Sequence, residues 1–205
     1  MALLSFFSRD PVGAFWTWFA ANAKAIEADV RGLKRRPRAT RLTNENLAGR
    51  LRRIHPMLVY EIGVDTDGLV ELIVSADGNR AAFEAVTRTV RAAPPLAGFK
   101  VTAFRRRMGP DVALGMFGHE LTFDQVRYES WAEGDRLGVR LYIPVDVDEA
   151  ERHAMAFLLL DMALGEYDVE TGVGAIETRT GQPRGAKRLR ALAAEFDAFR
   201  NPTVH

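Results

Sequence analysis

The 205-residue chain is 47% hydrophobic and 27% charged, a balance that suits a globular protein with a sizeable core. It contains no cysteine, which excludes disulfides, thiolate nucleophiles and cysteine-bound zinc, and no apolar run reaches the roughly 18 residues that a membrane span needs. The net charge of +1 hides an asymmetry, since residues 1–107 carry +8 and residues 108–205 carry −7. The expected consequence is attraction between the two halves, within one molecule or across a dimer. The opening MALLSFFSRD lacks a basic start and its apolar run breaks at Arg9 and Asp10, so no signal peptide is expected. Together with the absence of cysteine, this points to a cytoplasmic location.

In chain order, 11–34 reads as a helix with Asp10 as N-cap and Pro11 at the first helical position. Phe15, Phe19, Asn22, Ile26, Val30 and Leu33 recur at helical spacing, with Trp18 beside that stripe and Trp16 off it. A basic connector ending near Arg41 and interrupted by Pro37 leads to a short helix predicted over 43–54. Leu58, Tyr60, Ile62 and Val64 then alternate with Val59, Glu61 and Gly63, and a turn at 65–68 joins this strand to another over 69–75. A helix is predicted over 79–92 and stopped by Pro94-Pro95, followed by a strand from Phe99 that ends in Arg105-Arg106-Arg107. Residues 108–120 read as a loop, 121–131 as a strand with a bulge near Asp124-Gln125, and 137–143 as another strand. A very apolar helix over 148–164 is closed by Gly165, and strand 172–178 and an amphipathic helix over 186–200 complete the chain.

The order strand–strand–helix–strand thus occurs twice. It predicts an α+β fold in which two such units form a mostly antiparallel sheet of about six strands, or two abutting sheets. Helices would cover one face, with extra helices at both termini. Each third strand is expected beside the first of its unit and antiparallel to it. The corresponding division is a single domain, 1–205, with an N-terminal helical segment 1–56, a first ββαβ unit 57–107, a second 119–180 and a C-terminal helix 185–200.

The segments FWTWF at 15–19, IHPMLVYEIG at 54–63, LIVSADGN at 72–79 and LLLDMALGEYDVET at 158–171 resemble a family of uncharacterised bacterial proteins. The resemblance implies a bacterial cytoplasmic protein. It carries over no activity, ligand or site residue.

Three classes of function remain for the residues themselves to separate. The first is a hydrolase-type enzyme with an acidic site near Asp161. Asp161 lies among the apolar helical neighbours Phe157, Leu158, Leu160 and Leu164, and a carboxyl in such surroundings requires a partner or a raised pKa. Glu166, Asp168 and Glu170 follow, and in an extended segment they would share one side, where a divalent cation or an arginine would relieve their repulsion. The catalytic candidates are therefore Asp161, Glu166, Asp168 and His119, and the metal candidates are Glu166, Asp168 and Glu170. A solvated acidic edge accounts for the same acids without any chemistry. The second class is nucleic-acid binding through 31–53, where nine basic residues face one acid and Arg35, Arg36 and Arg38 are the candidates. No aromatic residue is interleaved there for base stacking. The third is a non-enzymatic binding or protein-interaction module, working with a protein partner or by self-association. This is the leading expectation, because it requires no motif that the sequence lacks. Gly172-Val173-Gly174 lacks the rest of a dinucleotide fingerprint, and no histidine pair has metal spacing, so no cofactor is expected.

Overall fold

The structure, a computed structural model, describes residues 10–32 and 46–201. Arg35, Arg36, Arg38 and the start of the helix expected at 43–54 lie outside these residues. The fold is α+β, and the chain divides into two compact units, 1–104 and 105–205. The strands are divided between the units and do not join in a single sheet of about six, and each unit has its own apolar cluster.

In the first unit, helix α1 (Pro11–Gly32) starts where the Asp10 side chain accepts the Val12 N–H at 3.1 Å. Val12, Phe15, Phe19, Ile26 and Val30 form its buried stripe. Trp16 is buried as well, contrary to its expected place off the stripe, and its indole N–H donates to the Thr89 carbonyl at 2.8 Å. The reason is a second packing partner, α3 (Phe83–Arg91), lying against that side of α1. Helix α2 (Ala48–Ile54) precedes the antiparallel strands β1 (Val59–Val64) and β2 (Val70–Ser75). Between them Asp65 accepts the N–H groups of Asp67 and Leu69, which fixes the turn. After α3, strand β3 (Phe99–Ala103) pairs with β2 in parallel, giving the order β1-β2-β3.

This corrects the expected pairing. A single helix between β2 and β3 carries the chain back to its starting end, so the third strand runs parallel to the second and joins its free edge. Val70, Leu72 and Val74 are fully buried on the helical side, whereas Glu71, Lys100 and Thr102 line the other, polar side.

The second unit contains a hairpin that the sequence reading places in a loop. Strands β4 (Ala113–Met116) and β5 (His119–Thr122) pair across Phe117 and Gly118, both with positive φ. The bulge expected near Asp124-Gln125 is instead a turn, in which the Gln125 side chain accepts from the N–H and hydroxyl of Thr122. Strands β6 (Arg127–Glu133) and β7 (Arg136–Tyr142) follow as an antiparallel pair. Helix α4 (Glu149–Leu164) begins with a reciprocal cap between Asp148 and Glu151. A short helix α5 (Glu166–Gly172), not an extended segment, leads into β8 (Val173–Arg179), which pairs in parallel with β7 through a bulge. The last predicted helix is shorter than expected. Strand β9 (Lys187–Arg188) adds to β6, and α6 (Leu192–Arg200) follows one turn of 3₁₀ helix.

The four-stranded order is β8-β7-β6-β9. Within it β6, β7 and β8 repeat the order and directions of β1, β2 and β3, so both units share one ββαβ connectivity. Among the described residues no helix is long and apolar enough to cross a membrane.

Candidate functional site

The acidic end of α4 receives the segment that opens the second unit. Gly165 separates α4 from α5 at φ 89°, and a Cβ there would lie 3.2 Å from the Arg107 nitrogen. Residues 105–108 lie along this elbow as a strap. The Met108 N–H donates to the Met162 carbonyl at 2.7 Å and the Glu166 N–H to the Arg105 carbonyl at 3.0 Å. In return the side chain of Glu166, fully buried, accepts the Arg105 N–H at 3.1 Å. A carboxyl at the first position of a helix, facing backbone donors, is well placed electrostatically.

The arginine side chains of the strap reach the remaining acids. Arg105 Nη1 lies 3.4 Å from Asp161 Oδ2, and Arg107 makes a two-pronged pair with Asp197 at 2.7 and 2.9 Å. Arg107 Nη2 also approaches Asp168 at 3.6 Å. The Arg107 guanidinium holds the Asp197 carboxyl below its usual range. Asp161 goes the other way. Burial pushes its pKa up to about 7, Arg105 opposes that rise, and Glu166 and Glu170 add to it.

The sequence candidates therefore part company. Asp161, Glu166 and Glu170 interact electrostatically, while Asp168 turns to Arg107. The shared acidic side expected for an extended 166–170 does not form, because successive residues of a helix are turned by about 100°. His119 lies half-buried on β5, opposite Met116, rather than in a loop. Among the described residues no three His, Asp or Glu side chains converge as a metal site. The arginines that meet the acidic elbow are Arg105 and Arg107, which the sequence reading assigns to the end of the first ββαβ unit.

Two constellations escape sequence reading. On the helical side of the second sheet, the Glu195 carboxylate of α6 accepts from the Tyr128 hydroxyl at 2.6 Å, from the Ser130 hydroxyl and from Lys187 Nζ at 2.6 Å. Burial raises the Glu195 pKa, but these three donors outweigh it and hold the carboxyl below its usual range. Burial and Glu195 together push the Tyr128 phenol up. A fully buried tyrosine that holds its proton tightly is an anchor for α6, not an acid or base at neutral pH.

The second constellation occupies the opposite side of the same sheet. Arg140 Nε donates to Glu177 at 2.8 Å and its Nη1 to Glu129 at 3.1 Å, while the Tyr142 hydroxyl donates to Glu129 at 2.8 Å. Trp131 lies against Gly138, where it leaves no room for a Cβ, and the Arg140 guanidinium sits 5.7 Å from its ring. These side chains come from three strands, so the only sequence signal is strand alternation on β6 and β7. No protein-family model, curated protein or solved structure matches this chain.

Proposed function

We propose that this chain is a non-enzymatic binding module that engages a protein partner through the open side of the β6–β8 sheet. The observation that carries the reading is the half-exposed set of Trp131, Arg140 and Tyr142, in which Glu129 and Glu177 hold Arg140 and Tyr142 while Trp131 lies against Gly138. Tryptophan, tyrosine and arginine dominate binding energy at protein interfaces, and side chains already fixed lose less entropy on association. Trp131→Ala is expected to abolish specific crosslinking of the full chain to its partner in the cells that produce it, while Asp161→Asn leaves crosslinking intact. Equal crosslinking by wild type and Trp131→Ala rejects this face, and light scattering on the same samples identifies self-association if the partner is a second copy.

One observation favours a hydrolase-type alternative, namely the Asp161 pKa of about 7, the range in which a carboxyl serves as an acid or base at neutral pH. Against it stands the Arg105 partner, which accounts for Asp161 as a structural group. A hydrolytic activity lost in Asp161→Asn, with folding retained, would favour this alternative.

A further inference from the structure

We propose that the cleft between the start of α1 and α2 binds a small anionic amphiphile, a carboxylate carried on an apolar body. The cleft has a volume of about 750 Å³ and is lined, among the described residues, by Asp10, Pro11, Ala14, Phe15, Arg50 and Arg53. That volume lies within the range of small-molecule sites, in which apolar walls combine with a few placed polar groups. Pro11, Ala14 and Phe15 supply the apolar wall.

Arg50 and Arg53 are one helical turn apart on α2, so both guanidinium groups serve the same side of the cleft. Arg50 is held by stacking, 4.5 Å from the Trp18 ring. Its Nε is buried and has no hydrogen-bond partner among the described residues, a donor that an entering carboxylate would satisfy. Asp10, the one lining carboxylate among the described residues, accepts the Val12 N–H at 3.1 Å. Among the described lining residues two guanidinium groups face one carboxylate, an excess of positive charge that favours an anionic head group on the ligand. The site lies wholly in the first unit and does not depend on the binding face proposed for the second.

Calorimetric titration of the full chain with decanoate and with decan-1-ol, both kept below aggregation, tests the proposal. Decanoate is expected to bind with unit stoichiometry and about tenfold or more tighter than the alcohol. Arg50→Gln with Arg53→Gln should weaken decanoate about tenfold and leave the alcohol unchanged. Ala14→Trp, a substitution at an exposed position facing the cleft, should abolish binding of both probes. If the double variant is not folded by circular dichroism, the exposed Arg53→Gln alone must weaken decanoate about threefold or more. Decanoate binding no tighter than decan-1-ol, binding unchanged in the folded arginine variants, or binding that survives Ala14→Trp would overturn it.

Discussion

At the scale of single residues, Asp161 shows how burial and a partner compete for one carboxyl. Its side chain is 13% exposed, and Arg105 at 3.4 Å offsets only part of the lost hydration. The folded-state pKa of about 7 lies above the ordinary value of 3.8. Between those two values the folded chain holds a proton that the unfolded chain has released. Stability from this group is therefore complete below about pH 4 and is lost as pH rises through 7, by up to about 4 kcal/mol. Asp161→Asn keeps the shape and removes the ionisation. Thermal melts of the two proteins from pH 5 to 8 should show a flatter profile for the variant and a higher Tm than wild type at pH 8. Parallel profiles would mean that Asp161 is ionised throughout and satisfied by Arg105.

At the scale of elements, the elbow between α4 and α5 depends on a residue without a side chain. Gly165 combines a left-handed φ of 89° with a strap backbone too close to admit a Cβ without movement. Its own N–H still closes the last turn of α4 onto the Asp161 carbonyl at 2.8 Å, and its carbonyl accepts the Val169 N–H at 3.0 Å. The elbow thus turns the chain between two helices while keeping the backbone bonds of both. Gly165→Ala is expected to cost about 1–3 kcal/mol in urea denaturation, from backbone strain and from displacement of the strap. A loss below about 0.5 kcal/mol would show that the strap yields freely and does not order the elbow.

At the scale of the whole molecule, the boundary between the units redistributes charge. Moving it from 107 to 104 transfers three arginines to the acidic half, so the units carry +5 and −4 instead of +8 and −7. Two of the three, Arg105 and Arg107, go directly to carboxyls of the second unit. Exposed pairs contribute little individually, but here the strap adds three backbone-mediated bonds to a buried carboxyl and a helix end. A fragment of residues 105–205 contains the complete apolar cluster of its unit and is expected to melt cooperatively. A fragment beginning at 109 leaves Glu166 and the Met162 carbonyl without their strap partners and should lose several degrees of Tm. Identical melting of the two fragments would reduce the strap to a passive connection.

Much of the local structure follows from the sequence alone. Spacing of three and four places α1 and α3, alternation places β1, β3 and β7, and Asp10 and Gly165 mark helix ends, because these signals act through neighbouring residues and do not require the fold. The doubled order of strands and helices and the apolar setting of Asp161 are legible in the sequence as well. Only the tertiary structure decided which strand joins β3 and β8, since alternation assigns faces but not neighbours. It also decided that Arg105 and Arg107 serve the second unit, that Glu195 gathers Tyr128, Ser130 and Lys187, and that Trp131, Arg140 and Glu177 share one side of a sheet. These groups are separated by up to 90 residues in the chain. What brings them together is chain reversal through a helix and the pairing of strands, whose partners are chosen by collective packing and not by any local signal.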